Sequence, residues 1–292
     1  MPVEGADRPV ITTELVRRLV RAQFPQWGHL PLRPVAPGGS DHVIHRLGPE
    51  LSVRLPRHAD AVGQAEKEAR WLPRLAGHLP LAVPEPVAAG RPGLRYPWPW
   101  AVSRWLDGEV ATVEALAGSV PAAEALAGFL TALQRIPTAG APAEPAGRPL
   151  SGRDAATRAA IRRTAGVFDS GALLRLWEEA LGAGAWDGPA VWYHGDFHTG
   201  NVLTCGGRPS AVIDFGELGT GDPACDLTLA FTLLTGRARA AFRTALGVDD
   251  ATWARGRGWA LATGLNAYVH HAATEPRVAR QTTRQIEQAL IG

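Results

Sequence analysis

Residues 194–201 read His-Gly-Asp-Phe-His-Thr-Gly-Asn, and residues 211–216 read Ala-Val-Ile-Asp-Phe-Gly. The two segments present an acid, Asp196, then an amide five positions on, Asn201, and then a second acid, Asp214. In phosphoryl transfer, one carboxylate accepts the proton of the attacking hydroxyl, while an amide oxygen and a second carboxylate hold Mg²⁺ against the nucleotide phosphates. The spacing therefore predicts a phosphoryl-transfer site, with Asp196 as catalytic base and Asn201 and Asp214 as metal ligands.

The first segment has the spacing of the protein-kinase catalytic loop, in which His-Arg-Asp is followed by an asparagine five positions after the acid. Here Gly195 stands in place of the arginine. With His-Gly-Asp and the downstream Ile-Asp-Phe-Gly, the chain resembles the aminoglycoside phosphotransferase family of antibiotic and small-molecule kinases. The resemblance implies an α+β, bilobal protein-kinase-like fold, with a small antiparallel β-sheet and one helix in the first lobe and a mostly helical second lobe.

The pattern of apolar residues predicts the same two lobes. Residues 1–105 are expected to form a nucleotide-binding lobe that begins with a leading helix. Helices are predicted at residues 12–24 and 59–75, and strands at 32–36, 43–47, 51–55, 83–89 and 100–105.

Residues 106–292 are expected to form a helical lobe with the catalytic loop, the metal site and the acceptor site. The segment at 106–109 is the predicted connection between the lobes, and the Pro-, Ala- and Gly-rich segment at 136–150 predicts a surface loop. Helices are predicted at residues 122–135, 152–166, 172–181 and from 222 onward, and short strands at 190–193, 202–205 and 210–213.

The hairpin at residues 37–41 of the first lobe, Pro-Gly-Gly-Ser-Asp, has the chemistry to bind phosphate. A glycine at position 39 lets the backbone approach a phosphate closely, and the Ser40 hydroxyl is a hydrogen-bond donor. Gly39 and Ser40 are therefore predicted nucleotide-binding residues.

Arg54 occupies the third predicted strand, where protein kinases carry a lysine that pairs with the nucleotide phosphates and is held by a helix glutamate. Arginine keeps the charge, although its planar fork of donors differs from the point charge of lysine. We expect Arg54 to take this role with Glu68 as its partner. Glu66 on the same predicted helix is the alternative partner, and a solvent-facing Arg54 is the alternative interpretation.

The resemblance implies three further nucleotide contacts. The backbone of Arg104 and Leu106 is expected to hydrogen-bond the adenine edge, and Ile213 is expected to pack against the adenine ring. His194 is expected to shape the catalytic loop, and His198 is expected either to pack or to face the substrate.

Two aspartates downstream of the metal-binding turn are expected to support the site. Asp222 precedes a proline and is a predicted N-cap. Asp226 lies among apolar residues and is expected to brace the catalytic loop.

Composition limits the classes of partner. A net charge of +2 in 292 residues does not favour nucleic acid, and no stretch reaches the length of a membrane span. The amino terminus lacks the apolar core of a signal peptide, and two cysteines fit a reducing compartment and buried apolar positions. We expect a cytoplasmic monomer or weak homodimer without nucleic-acid or membrane partners.

The predicted reaction transfers the γ-phosphate of ATP or GTP, with Mg²⁺, to a hydroxyl of a small molecule. The resemblance implies an antibiotic acceptor. A polycationic aminoglycoside is expected to need a carboxylate-lined surface, yet residues 249–292 hold four acids and five arginines. A neutral or weakly charged hydroxylated acceptor, such as a macrolide, a nucleoside antibiotic or a sugar, is thus at least equally favoured. The alternatives are a metabolic kinase for choline, a sugar or a hydroxy amino acid, and a non-catalytic binding module.

Overall fold

A computed structural model of the chain describes residues 9–36, 38–141 and 149–292. Of the described residues, those up to Gly77 together with Ala82–Asp107 form one compact unit. A second unit consists of His78–Leu81 and Gly108–Gly292. The change of unit after Asp107 falls inside the segment predicted as a connection.

The first unit contains a five-stranded antiparallel sheet with strand order β1-β2-β3-β5-β4. Its elements are α1 (Thr13–Gln23), β1 (Leu32–Pro34), β2 (His42–Leu47), β3 (Leu51–Pro56), α2 (Gln64–Leu75), β4 (Pro86–Gly90) and β5 (Trp100–Arg104). The strand that carries Arg54, β3, is the central strand of the sheet and pairs with β2 on one side and β5 on the other.

Helix α1 belongs to the core of this unit. Its N-cap Thr12 accepts a hydrogen bond from the Leu15 amide at 3.1 Å, which satisfies an otherwise unpaired donor of the first turn. Val16, Leu19 and Val20 recur at helical spacing and are buried against the apolar side chains of the sheet.

The helix predicted at residues 59–75 is wrong in its first third. The chain forms a 3₁₀ turn at Ala59–Ala61 and begins α2 only at Gln64. Gly63 separates the two with φ +95°, a left-handed conformation that interrupts a right-handed helix.

The second unit is mostly helical, as predicted, with two small antiparallel sheets, β6-β8-β9 and β10-β7. Its elements are β6 (Glu109–Val110), α3 (Val113–Leu116), α4 (Val120–Gln134), α5 (Asp154–Arg163), α6 (Ser170–Gly182), β7 (Val191–Tyr193), β8 (Val202–Cys205), β9 (Arg208–Val212), β10 (Gly219–Gly221), α7 (Thr228–Thr232), α8 (Gly236–Leu246), α9 (Asp250–His271) and α10 (Pro276–Ile291). Strands β6 and β10 were not predicted, because two or three residues are too few to show an alternating pattern. The predicted loop at 136–150 lies partly outside the described residues.

The short strands set the positions of the two motif segments. Strand β7 leads into residues 194–201, and the β8–β9 hairpin pairs Val202 with Val212. This pairing brings the residue before β8 close to the residues after β9. Asn201 and Asp214 occupy those two places.

In the part of the chain that the structure describes, no helix has both the length and the apolarity to cross a membrane. Both cysteines are free thiols. Cys225 is buried, as expected, whereas Cys205 at the end of β8 is exposed, so the expected burial is wrong for Cys205.

Candidate active site

The carboxylate of Asp226 holds the start of the catalytic loop. Its two oxygens accept hydrogen bonds from the backbone amides of His194 at 2.7 Å and Gly195 at 2.8 Å. Asp226 is completely buried, and burial raises its pKa to about 7, although the two amide donors act in the opposite direction. The aspartate therefore contacts the loop that it was predicted to brace.

His194 joins the catalytic loop to the end of β9. Its Nε2 donates to the Ile213 carbonyl at 3.0 Å, and its Nδ1 accepts the Asp196 amide at 3.2 Å. A ring nitrogen that accepts an N–H carries no proton, so these two bonds require the neutral Nε2–H tautomer. Complete burial lowers the pKa of His194 and favours the same neutral form.

Gly195 is required by the path of the backbone. It has φ +88°, and a Cβ added there would lie 2.3 Å from the carbonyl oxygen of Glu217. The arginine that protein kinases carry at this position cannot fit. The sequence shows the glycine but not the neighbouring carbonyl, so this reason emerges only from the structure.

We expect Gly195→Ala to destabilise the protein for two reasons: the left-handed backbone at this position disfavours alanine, and the added methyl group overlaps Glu217. Gly166 has nearly the same φ, +86°, with no atom within 4 Å of an added Cβ, and is the matched control. Gly166→Ala is expected to cost about 1 kcal/mol for the left-handed conformation alone. Gly195→Ala is expected to cost a further 1–3 kcal/mol, roughly, for the overlap with Glu217. Urea denaturation measures both, and equal losses would contradict the steric explanation.

Two side-chain nitrogens lie close to one oxygen of the Asp196 carboxylate. Asn201 Nδ2 lies 3.1 Å from Asp196 Oδ2 and also 2.9 Å from the Asp196 carbonyl oxygen, and His198 Nε2 lies 3.4 Å from Oδ2. Burial by itself raises the pKa of Asp196, but the charge and hydrogen bond of His198, with those of His194 and Asn201, outweigh it and hold the pKa below its usual range. Asp196 is thus ionised at neutral pH, and 51% of its side chain is exposed.

His198 is only partly buried, and both of its ring nitrogens contact neighbouring groups. Its Nδ1 accepts the Gly200 amide at 3.0 Å, and 39% of its side chain is exposed. Burial lowers the pKa of His198, but the Asp196 charge and hydrogen bond raise it to above the usual range. The Gly200 N–H opposes this rise, because it needs an unprotonated Nδ1.

Asp214 and Asn201 are the two predicted metal ligands, and the structure brings them together. The Ile213 amide, directly before Asp214, donates to the Asn201 carbonyl at 2.9 Å. Asp214 has φ +66°, a left-handed conformation that is uncommon for a residue with a side chain and that clusters at functional sites.

These two side chains fit Mg²⁺. The amide nitrogen of Asn201 is engaged by Asp196, which assigns metal ligation to Oδ1, and Asp214 adds a carboxylate. Mg²⁺ takes hard oxygen ligands, keeps several waters and needs only one or two carboxylates. Within residues 9–36, 38–141 and 149–292, no group of three or more His, Cys, Asp or Glu is arranged to hold a metal ion. One amide oxygen and one carboxylate are enough for an ion that keeps several of its waters.

Asp222 is the predicted N-cap and also forms a buried ion pair. It accepts the Ala224 amide at 3.0 Å, and Arg255 Nε on α9 donates to its Oδ2 at 2.8 Å. The two side chains are only 6% and 5% exposed, and Arg255 also donates to Thr252 Oγ1 at 3.1 Å. The sequence shows the cap but not this partner, which lies 33 positions away.

In the first unit, Arg54 pairs with Glu68. Arg54 Nη1 donates to both carboxylate oxygens, at 2.7 and 2.9 Å, and the side chains are 12% and 3% exposed. Glu66 is exposed. The solvent-facing interpretation of Arg54 is therefore wrong, and the observed partner is Glu68.

The described part of the predicted phosphate loop, residues 38–41, is anchored through Asp41. The Ser40 hydroxyl donates to Asp41 Oδ1 at 3.0 Å, and Gln64 at the start of α2 donates to Oδ2 at 2.9 Å. The Gly39 carbonyl accepts a hydrogen bond from Arg57 Nε at 3.1 Å. The atom nearest to an added Cβ on Gly39 would be the His42 carbonyl oxygen, at 3.9 Å. Sequence reasoning missed Asp41, and Pro37 lies outside the described residues.

The residues predicted to contact the adenine lie at the end of β5 and directly after β9. Arg104 ends β5, its amide donates to the Glu85 carbonyl at 2.8 Å, and its side chain pairs with Glu50 at 3.1 Å. Leu106 follows and is half-buried, as is Ile213 after β9. Their roles at the adenine stay predictions.

The arginines near the carboxyl terminus form less of a free cationic surface than their number indicates. Arg255 is buried against Asp222, Arg257 pairs with Glu179 at 3.2 Å, and Arg284 donates to two backbone carbonyls, each at 3.2 Å. The excess of arginine is therefore a weak argument against a cationic acceptor. Trp253 and Trp259, two large aromatic residues of α9, are buried.

Residues 31–259 match the sequence model of the phosphotransferase enzyme family. The chain belongs to this family. No curated protein sequence gives a match.

Solved structures of the same fold include antibiotic phosphotransferases. The GDP complex of wild-type aminoglycoside 2′-phosphotransferase-IIIa superposes with a TM-score of 0.73 at 16% identity, over 96% of this chain and 99% of that one. Macrolide 2′-phosphotransferase type I gives 0.65 at 20% identity, over 95% and 98%. Macrolide 2′-phosphotransferase MphH from Brachybacterium faecium gives 0.63 at 23% identity, over 94% and 97%. The predicted protein-kinase-like fold is confirmed.

Proposed function

We propose that the chain is a nucleoside-triphosphate-dependent O-phosphotransferase that moves the γ-phosphate to a hydroxyl of a small molecule. The observation that carries the proposal is the cluster of Asp196, Asn201 and Asp214. The half-exposed Asp196 carboxylate accepts a hydrogen bond from the Asn201 side-chain amide. The Asn201 carbonyl accepts a hydrogen bond from the amide of Ile213, the residue before Asp214. Family membership supports the same reaction.

Asp196 acts by orientation more than by basicity. A carboxylate whose pKa is held below its usual range is a weak base, but it stays ionised and accepts a hydrogen bond from the acceptor hydroxyl. Transition states of phosphoryl transfer are loose in most analyses, so alignment of the attacking oxygen matters more than early proton removal. As the new P–O bond forms, the bond between the γ-phosphorus and the β–γ bridging oxygen breaks, the nucleoside diphosphate leaves, and the proton of the acceptor hydroxyl passes to Asp196.

Asn201 Oδ1 and the Asp214 carboxylate hold Mg²⁺ in this proposal. When bound, the ion neutralises charge on the nucleotide phosphates. The left-handed backbone at Asp214 and the Ile213–Asn201 hydrogen bond keep the two oxygen donors in place before the ion arrives. Removal of Mg²⁺ by EDTA should therefore abolish nucleotide turnover while the thermal melting temperature of the protein alone stays unchanged.

We propose that residues 1–105 supply the nucleotide site and residues 106–292 the catalytic and acceptor sites. Gly39 and Ser40 bind phosphate, and Arg104, Leu106 and Ile213 contact the base. Arg54, oriented by Glu68, pairs with the α- and β-phosphates of ATP or GTP. The hydrogen bonds from Arg54 Nη1 to both Glu68 oxygens support this role, because they fix the position of the guanidinium group.

Loss of Arg54 should weaken nucleotide binding. Arg54→Met alone leaves Glu68 buried without its counter-ion, so the variant to measure is Arg54→Met/Glu68→Gln. Loss of a hydrogen bond to a charged group corresponds to about 1.5–3 kcal/mol, so we expect KM for the nucleotide to rise about 10- to 100-fold. Arg33→Met, an exposed arginine on β1, is the control. Unchanged KM and kcat in the double variant would refute the assignment.

We propose an antibiotic or another hydroxylated natural product as acceptor. The fold is shared with aminoglycoside and macrolide phosphotransferases. Because arginines of α9 and α10 are engaged by other groups of the protein, they favour neither a cationic nor an uncharged acceptor. A metabolic kinase for choline, a sugar or a hydroxy amino acid uses the same reaction and is the alternative.

The deciding experiment incubates the protein with Mg·ATP or Mg·GTP and a panel of aminoglycosides, macrolides, nucleoside antibiotics, sugars and choline. Mass spectrometry then detects a gain of one phosphoryl group. The Asp196→Asn variant is the control for contaminating kinases. A protein that gives no modified acceptor, no nucleotide hydrolysis and no Mg²⁺-dependent thermal shift with nucleotide is a binding module, and the proposal fails.

A further inference from the structure

His198 is held at both ring nitrogens. The Gly200 amide donates to Nδ1 at 3.0 Å, which leaves the proton on Nε2 in the neutral ring. That Nε2 lies 3.4 Å from Asp196 Oδ2, the same oxygen that Asn201 Nδ2 approaches at 3.1 Å, and 3.3 Å from Asn201 Nδ2 itself. The two Nδ2 hydrogens point to the carbonyl oxygen and Oδ2 of Asp196, so Nε2 is not needed as their acceptor. Two donors on Oδ2 assign the other carboxylate oxygen, Oδ1, to the acceptor hydroxyl.

We infer that His198 is a positioning residue for Asp196, whose Nε2–H, together with the Asn201 amide, fixes Oδ2 so that Oδ1 faces the acceptor. The inference rests on the proposed function. In this role His198 acts on the catalytic carboxylate of Asp196 and does not itself contact the nucleotide or the molecule that is phosphorylated.

The surroundings of the ring favour positioning over packing. With 39% of its side chain exposed, His198 contributes little to a core. A Cβ on Gly200 would lie 2.7 Å from His198 Cε1, so the glycine keeps the space that the ring occupies. His198 also caps the 3₁₀ turn at Thr199–Asn201, but a cap needs only the acceptor at Nδ1 and makes no use of a donor at Nε2.

Two conservative variants separate the cap from the donor. His198→Asn places an acceptor where Nδ1 was and removes the distal donor, whereas His198→Gln places an N–H near the position of Nε2 and removes the cap. The readout is steady-state turnover of Mg·ATP and Mg·GTP, with an acceptor from the panel or with water. We expect His198→Asn to lower kcat about 10- to 100-fold with KM for the nucleotide unchanged, because misplacing a reacting group by about 1 Å has that effect. His198→Gln is expected to retain most of the kcat that His198→Asn loses.

Gly200→Ala tests the same ring without changing it. The added methyl group displaces the imidazole, so kcat should fall in the wild-type background. In the His198→Asn background the ring is gone, and a further fall of less than about twofold is expected because coupled residues are not additive. Thermal melting of each variant shows whether it is folded.

Three outcomes overturn the inference: wild-type kcat in His198→Asn, equal losses in His198→Asn and His198→Gln, or a rise in nucleotide KM with kcat unchanged. A fully additive Gly200→Ala effect also overturns it. Histidine ¹H–¹⁵N spectra of the free protein give a readout independent of turnover, since the inference requires the Nε2–H tautomer at His198 and an Nδ1–H tautomer contradicts it. If wild-type protein turns over no nucleotide, the proposed function fails, whereas a turning-over enzyme that is indifferent to His198 refutes only this inference.

Discussion

Asp196→Asn should lower kcat by about 10²- to 10⁴-fold, the range that a positioned acid–base group contributes. Asparagine keeps the shape of aspartate and one oxygen acceptor, so the contacts from Asn201 and His198 at Oδ2 can persist. The substitution removes the negative charge and replaces Oδ1 with an NH₂ group. This group is a donor, so it cannot take the proton of the hydroxyl that is phosphorylated. Because the loss falls on the chemical step, KM for the nucleotide should stay near its wild-type value.

The measurement is single-turnover phosphorylation of an acceptor identified from the panel, with Mg²⁺ and nucleotide saturating. Asp187→Asn, at an exposed aspartate of the same unit, controls for a change of charge. The thermal melting temperature should hardly change, because half of the Asp196 side chain is exposed. Turnover within about threefold of wild type would show that Asp196 contributes far less than a catalytic base does.

The sequence predicted best what depends on short separations. Asp196 and Asn201 are five positions apart, and their direct hydrogen bond follows from the loop between β7 and β8. The Arg54–Glu68 pair spans 14 positions, and it could be proposed because protein kinases pair a lysine of the third strand with a helix glutamate. Even there, spacing did not separate Glu68 from Glu66, since the choice depends on which helix face packs inward.

What the sequence did not show depends on distant partners or on backbone conformation. Arg255 was counted as one of several arginines near the carboxyl terminus, but it lies buried against Asp222. Gly195 was noted as a departure from the kinase pattern, but its reason is a carbonyl at Glu217. No local pattern encodes either contact.

The short strands had the same limit. Strand β10 has only three residues, too few to show an alternating pattern. Its pairing with β7 aligns Gly219 with Tyr193, directly before the catalytic loop, so a strand too short to predict helps to set the position of the site. Asp222 follows β10 at once, and its buried carboxylate pairs with the guanidinium of Arg255.

Asp222→Asn should destabilise the protein by about 3–5 kcal/mol, because it leaves the Arg255 guanidinium buried without a counter-ion. Asparagine retains the oxygen that accepts the Ala224 amide, so the cap is kept and the loss reports the charge. A domain is stable by only about 5–15 kcal/mol, so the loss is a large share of the total. Asp226 lies in the 3₁₀ turn Pro223–Leu227 that Asp222 caps, and kcat should fall as well.

A double-mutant cycle with Arg255→Met separates the pair from the two side chains. The Asp222→Asn/Arg255→Met variant removes both charges. Replacing a buried ion pair by uncharged side chains of similar volume often leaves stability unchanged, so we expect the free energy of unfolding to lie within about 1–2 kcal/mol of wild type.

Arg17 and Glu14 form an ion pair with the same 2.8 Å separation on the exposed face of α1, where the side chains are 37% and 63% exposed. The Glu14→Gln change there should cost at most about 1 kcal/mol. Urea denaturation followed by tryptophan fluorescence measures every variant. A double variant as unstable as Asp222→Asn, or equal losses at the buried and exposed pairs, would show that burial of the charge does not set the stability of this region.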